Sequence, residues 1–329
     1  MTQLTIIKAL NAGLRRALEN DPKVVIMGED VGKLGGVFRV TDGLQKDFGE
    51  ERIIDTPLGE SGIVGTAVGL AMRGYRPVCE IQFDGFVAPA YDQIVSQVAK
   101  LHFRSQGKVR MPAVIRIPFA GGIGAVEHHS ESPEAPFVHT AGLKVVACSN
   151  PLDAYWMIQQ AIASDDPVVF LEPKRRYHEK AEVDTEAESA PLPLHASKVV
   201  RVGGERPTAV LLCYGPMVKT CLEAAEAATS DGLQLTVIDL RTLSPLDLDP
   251  VYTAVRSCGR VAVVHEAPVT GGLGAELAAR ITQECFYSLE APVLRVGGFD
   301  TPYPPARIEE DYLPDLDRVL DGVDRLLAY

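Results

Sequence analysis

No stretch of about 18 consecutive apolar residues occurs in this 329-residue chain, which excludes a membrane-spanning helix. No Cys-x-x-Cys pair occurs either. Its six cysteines, at 79, 148, 213, 221, 258 and 285, stand apart, several in apolar runs such as Leu211-Leu212-Cys213. Buried reduced thiols explain that pattern better than disulfides or zinc ligation. Basic charge is scarce: 32 Lys and Arg stand against 44 Asp and Glu, for a net charge of −12. Non-specific nucleic-acid binding needs clustered Lys and Arg to displace counterions, so that class is set aside. A basic protein partner remains compatible. The start, Met1-Thr2-Gln3-Leu4-Thr5-Ile6, has no basic stretch leading into an apolar core and no Arg- and Ser-rich bias. The expectation is a cytoplasmic protein without signal or transit peptide.

What is present is ordinary globular material, 46% hydrophobic and 23% charged, at a length that suits two domains. The first half alternates helix and strand patterns. Ile6, Ile7, Leu10, Leu14 and Leu18 predict a helix over 5–19, and Val24–Met27 a buried strand. A helix after Glu60, a strand over 77–81, a helix over 90–105 and a strand over 113–117 follow. Strands over 145–147 and 168–171 flank a helix starting near Pro151. Residues 178–206 break the rhythm with acidic residues and prolines, which places a linker over 181–206. The alternation restarts with strands over 209–213, 235–238, 261–264 and 293–296 and helices over 216–230 and up to Phe286. The fold class is therefore α/β, two domains of mostly parallel sheet flanked by helices, over 1–180 and 207–329. The acidic tail Glu309-Glu310-Asp311 with Asp315 and Asp317 reads as a solvated surface segment.

Two segments hold candidate chemistry. In Asp55-Thr56-Pro57-Leu58-Gly59-Glu60-Ser61-Gly62-Ile63-Val64-Gly65, a single carboxylate sits at the mouth of an apolar helix. Gly62, Gly65 and Gly69 share one side of it and admit a close backbone. Burial disfavours the charged form of Glu60 unless something hydrogen-bonds to it. On geometry alone, Glu60 reads as a cap for orphan helix amides. The second segment, Glu127-His128-His129-Ser130-Glu131, follows a strand and the glycine-rich Gly121-Gly122-Ile123-Gly124. Histidines there can move protons near neutral pH, whereas adjacent histidines point apart and make a poor metal site. His102, His139 and His178 lack polar company and read as structural. Gly272-x-Gly274 opens a helix but has Leu277 where a dinucleotide site needs a small residue, so a tight turn explains it better.

The Asp55–Gly65 segment resembles the cofactor-activating motif of the β subunits of thiamine-diphosphate-dependent 2-oxoacid dehydrogenases. Further stretches resemble that family in order along the chain: Met27–Gly32, Gln82-Phe83 through Ile94, His129–Ala135, Phe170–Lys174, and His265-Glu266 with Gly271–Gly274. The resemblance implies a transketolase-like pyrimidine-binding domain and a transketolase C-terminal-like domain. It implies that Glu60 hydrogen-bonds the cofactor's aminopyrimidine ring and so favours loss of the thiazolium C2 proton. Phe86 would stack on the pyrimidine, although core packing explains a phenylalanine there equally well. Gln82 would be a neighbouring hydrogen-bond partner and Leu58 a pocket wall. His129, the histidine directly before Ser130, would assist transfer of the acyl group to a lipoyl dithiolane. Glu131 stands where many relatives carry glutamine, and its charge would raise the pKa of that histidine. Asp92-Gln93 would pack subunits.

The family holds the cofactor's diphosphate and Mg2+ through Gly-Asp-Gly, which this chain lacks. The resemblance assigns those ligands to a separate α subunit, in a two-α, two-β heterotetramer with the site between subunits. The second domain would pair β subunits and dock the lipoyl-bearing acyltransferase. A structural K+ is a further family feature, with the turn Ser164-Asp165-Asp166 as its candidate here. Ser132-Pro133-Glu134-Ala135 leans towards branched-chain 2-oxoacids, with pyruvate and acetoin relatives as alternatives. A single-chain transketolase-like enzyme is disfavoured by the missing motif, and a non-catalytic scaffold by the retained Glu60 and His129.

Overall fold

The computed structural model describes residues 1–329. Fourteen strands are present. In the first half they are β1 (Thr2–Thr5), β2 (Val24–Gly28), β3 (Ile53–Asp55), β4 (Arg76–Glu80), β5 (Val114–Phe119), β6 (Lys144–Ala147), β7 (Val168–Pro173) and β8 (Lys180–Val183). In the second half they are β9 (Lys198–Arg201), β10 (Ala209–Cys213), β11 (Leu235–Asp239), β12 (Thr242–Ser244), β13 (Val261–Pro268) and β14 (Leu294–Gly298). They build a seven-stranded sheet ordered β12-β6-β7-β5-β4-β2-β3 and a five-stranded sheet ordered β14-β13-β10-β11-β9. Both are parallel except at one edge, where β12 and β9 run antiparallel. Every residue of β2, β5, β7 and β10 is buried, as expected of strands covered by helices on both faces.

The helices form where apolar residues recur at helical spacing and polar residues close the ends. Helix Ile6–Asn20 buries Ile6, Leu10 and Leu14 against helix Pro151–Ala163. Thr5 caps the first, accepting from the Lys8 amide at 3.2 Å, and Asn150 caps the second, accepting from the Asp153 amide at 3.0 Å. Each such cap contributes about 1 kcal/mol.

Residues 90–105 do not form the continuous helix that their apolar spacing predicts. A 3-10 segment over Asp84–Ala90 gives way to a π-type turn over Gln93–Val98 and a short α-helix over Leu101–Arg104. Pro89 cannot donate to the turn before it, and the Ala99 amide reaches back five residues to the Ile94 carbonyl at 2.9 Å.

The stretch 181–206, expected as a linker, carries two strand segments. β8 pairs antiparallel with β1, Thr2 opposite Val183, and β9 edges the second sheet. β12 crosses back from the second half to pair with β6. The largest apolar core likewise spans both halves, joining Ile117, Phe119 and Leu171 to Leu212, Leu243 and Ile281. Arg241, fully buried at this junction, donates to Asp153 Oδ1 at 3.0 Å and to the Ala196 carbonyl at 2.5 Å. All six cysteines are free and five are buried, and burial pushes the Cys79 thiol up to about 12.

Candidate active site

β3 ends at Asp55, and a four-residue loop delivers Glu60 to the first position of helix Glu60–Met72. Glu60 is only 8% exposed, yet its carboxylate accepts no hydrogen bond, and no side chain caps this helix. The cap reading of Glu60 is therefore overturned. The loop is held from below instead: the Gly59 amide donates to Glu29 Oε1 at 3.2 Å. Burial raises the pKa of Glu29. The Gly59 hydrogen bond opposes that, and the charges of Glu60 and Asp30 add to it. Gln82 donates to the Glu29 carbonyl at 3.4 Å and to Asp30 Oδ2 at 3.3 Å, bracing this turn. Leu58 is 85% exposed and walls nothing within this chain.

The helix itself corrects a second expectation. Ile63, Val64, Ala67 and Ala71 are buried, but the glycine side is not covered. A Cβ at Gly62 or Gly69 would meet open space, and one at Gly65 only the Gln93 side chain at 3.5 Å. No backbone of this chain comes close to them.

Phe86 lies half-buried on the Asp84–Ala90 segment, which packs against the Glu60 helix. Its ring stands 5.1 Å from that of His129 and 5.8 Å from that of Phe83, centroid to centroid. Phe83 lies closer still to His129, at 4.0 Å. Gly85 permits this approach, because a Cβ there would sit 2.6 Å from the His128 Cα. His128 itself is exposed, whereas His129 Nδ1 is buried without a hydrogen-bond partner. Burial lowers the pKa of His129, the neighbouring His128 adds to that, and Asp84 opposes it. The net shift is downward, contrary to the rise expected from Glu131.

The His129 loop rests on groups that the motif reading did not single out. Asp84, fully buried, pairs with Lys174 and accepts the Glu131 amide. Below lies Arg116, whose guanidinium donates to Glu172 Oε1 at 2.6 Å, Glu172 Oε2 at 3.0 Å and Glu80 Oε2 at 2.6 Å. Tyr177 donates to Glu172 Oε2 at 2.6 Å. Glu29, Asp84 and Lys174 all fall within stretches that resemble the family, which was the available signal. Their partners are remote in sequence, so their roles were not readable.

The Ser164-Asp165-Asp166 turn already holds a cation of its own chain. Arg76 donates to the Ser164 and Ile162 carbonyls at 2.8 and 3.0 Å and to Asp165 Oδ1 at 3.0 Å. No group of three or more His, Cys, Asp or Glu residues converges to hold a metal ion. At the Gly272-x-Gly274 turn, His265 Nε2 accepts the Gly274 amide at 3.3 Å, and burial drives the imidazole down to about 4. That contact accounts for the turn without a dinucleotide.

Two linked α/β domains of mostly parallel sheet make a protein of the transketolase class. The transketolase pyrimidine-binding domain family matches residues 2–180, and the transketolase C-terminal domain family residues 198–319. A split-gene transketolase, solved as an inactive β4 tetramer, shares the fold at a TM-score of 0.79. Its sequence identity is 20%, over 99% of this chain and 98% of that one. The chain is 61% identical to the pyruvate dehydrogenase E1 component subunit beta of Leifsonia xyli subsp. xyli, over 99% of this chain and 95% of that protein. It is 54% identical to the 3-methyl-2-oxobutanoate dehydrogenase subunit beta of Mycobacterium tuberculosis, over 98% and 92%. It is 43% identical to the 2-oxoisovalerate dehydrogenase subunit beta of Pseudomonas aeruginosa, over 99% and 96%. The chain belongs to the 2-oxoacid dehydrogenase β subunits.

Proposed function

We propose that this chain is the β half of an enzyme that oxidatively decarboxylates a 2-oxoacid and passes the acyl group to a lipoyl domain. One observation carries the reading: a nearly buried carboxylate, Glu60, has no partner within its own chain. A carboxylate held at the edge of the fold with no donor of its own is free to accept one from a ligand. An aminopyrimidine ring nitrogen is a fitting complement, so thiamine diphosphate suits the residues present. When bound, that cofactor supplies the carbon nucleophile for the 2-oxo carbon and an electron sink for loss of CO2.

The chain's own residues do the rest. Glu60 would hold the cofactor's ring nitrogen by a hydrogen bond. Phe86 offers an apolar aromatic surface, and Gln82 holds the Glu29 turn under the loop. His129, whose Nδ1 has no partner in this chain, moves a proton while the lipoyl disulfide opens. The exposed Leu58 and the open glycine side of the Glu60 helix need cover. An α subunit supplies it in this reading, together with the Mg2+ and diphosphate ligands, in a two-α, two-β assembly. Residues 1–180 form the cofactor half, and residues 207–329 pair subunits and dock the acyltransferase. Six free cysteines suit a reducing compartment, and we place the enzyme in the cytoplasm.

The substrate is pyruvate or a branched-chain 2-oxoacid, since similar proteins carry both names. The Ser132–Ala135 stretch leans towards a branched-chain substrate, and the similar proteins favour neither. The ratio of kcat/KM for pyruvate and 3-methyl-2-oxobutanoate decides. The His129→Ala assembly tests the mechanism: cofactor binding should persist while acyl transfer to a lipoyl domain falls about 100-fold or more. An unchanged transfer rate would remove His129 from the mechanism.

A further inference from the structure

The glycine-rich segment after β5 leads directly into the His129 loop, and carboxylates from the second half of the chain hold its backbone. The Gly121 amide donates to Glu266 Oε2 at 3.0 Å. The Gly122 amide donates to Glu309 Oε1 and the Gly124 amide to Glu309 Oε2, each at 2.9 Å. Tyr303 donates its hydroxyl to Glu309 Oε1 at 2.6 Å, and the Gly122 amide also reaches that hydroxyl oxygen at 3.2 Å. Glu309 thus spans a concave run of amides with both oxygens, as an anion does in a backbone nest. It is buried, although Ile308 and Glu310 on either side are exposed. The solvated acidic tail expected from the sequence is corrected here: its first carboxylate points inward. Gly121 must be glycine for this contact, because a Cβ there would overlap the Tyr303 ring.

The far end of the loop is held separately. Asp84 accepts the Glu131 amide, and the Ala120 amide donates to the Glu131 carbonyl at 2.8 Å. Between these anchors, Gly122–Gly124 and Val126–His128 are exposed, and the His128 backbone rests against Gly85. The path that sets His129 against Phe83 is therefore held by three carboxylates, Asp84 from the first half of the chain and Glu266 and Glu309 from the second.

We propose that Glu309 is a positioning residue for His129. The proposal rests on the acyl-transfer role given to His129 above. The second domain clamps the loop through this carboxylate, and Tyr303 holds the carboxylate in place. Loosening the clamp lets the imidazole drift from its reacting position, and a drift of about 1 Å at a reacting group costs on the order of 100-fold in rate.

The test uses Glu309→Ala and Glu309→Gln, with two readouts. Amide hydrogen exchange on the full chain should rise at least about tenfold across 122–130 in Glu309→Ala, and stay unchanged in the Glu60–Met72 helix and in β10. In the assembled enzyme, acyl transfer to a lipoyl domain should fall about 10- to 100-fold, while decarboxylation with an artificial electron acceptor falls less than about threefold. Glu309→Gln, which keeps one acceptor oxygen and the shape, should restore part of the transfer rate. Wild-type exchange and transfer in Glu309→Ala would overturn the proposal. So would a uniform rise in exchange with equal loss of both half-reactions, which marks a merely structural residue. A wild-type assembly without 2-oxoacid decarboxylation would instead refute the functional reading, and the exchange result would still judge the clamp.

Discussion

Glu172 and Glu60 are both buried carboxylates in the first half of the chain, and they are treated in opposite ways. Glu172 has both oxygens matched by Arg116, with Tyr177 as a third donor. Glu60 has no donor at all and lies beside an uncovered helix face and an exposed leucine. A fully matched buried carboxylate belongs to the architecture, because its charge is compensated wherever the chain folds. An unmatched one at an open edge is left free to meet a ligand or a second molecule. In Arg116, burial favours loss of the proton, but Glu172 and Glu80 outweigh it and hold the guanidinium charged.

The sharpest way to break that contrast is to exchange the consequences of mutation. Glu60→Gln should reduce turnover of the assembled enzyme by about 100- to 10,000-fold or more. Its unfolding free energy should stay within about 0.5 kcal/mol of wild type, since no contact is lost. Steady-state kinetics beside urea melts would show this. Arg116→Leu should do the reverse at the level of the fold, leaving two buried carboxylates uncompensated at about 3–5 kcal/mol. A stable Arg116→Leu chain, or an unfolded Glu60→Gln chain, would sink the comparison.

Glu134 tests the intermediate case, a buried carboxyl with one oxygen matched. Tyr214 donates to its Oε1 at 2.5 Å, and Oε2 has no partner. Burial pushes it from its ordinary 4.5 up to about 7, with the Tyr214 hydrogen bond opposing. The folded state then binds the proton more tightly than the unfolded one. Its contribution is complete below pH 4.5 and is lost as pH rises through about 7. Against a Glu134→Gln reference, wild type should lose roughly 3 kcal/mol across that window. Parallel stability profiles for the two chains would contradict it. The smallest effect belongs to a purely local contact: Asn150→Ala should cost about 1 kcal/mol through its lost cap and leave activity unchanged.

Local periodicity made most of the fold legible. Val24–Met27, Ala209–Cys213 and the helix from Ile6 are written in runs of neighbouring apolar residues, and the structure places elements there. What escaped depends on partners far away. β12 is three residues long, and only its pairing with β6 makes it a strand. Helix Leu316–Leu327 begins within the acidic tail, with Asp315 as its cap and Asp317 in its first turn, and it escaped because the tail was judged by its charges alone. The same division runs through the site. Glu60, Phe86 and His129 were singled out as candidates from short motifs, and the structure places the rings of Phe86 and His129 5.1 Å apart. The supports were not readable: Glu29 acts across 30 residues and Lys174 across 90. Glu309 reaches across 185 and more to the loop, and nothing in Glu309-Glu310-Asp311 distinguishes the inward carboxylate from the solvated ones.

The central claim is that this chain carries half of a cofactor site. Native mass spectrometry of the protein purified gently from its own cells tests it most directly. The account predicts two copies of this chain with two copies of a second polypeptide and bound thiamine diphosphate. A homo-oligomer that binds no thiamine diphosphate would contradict it.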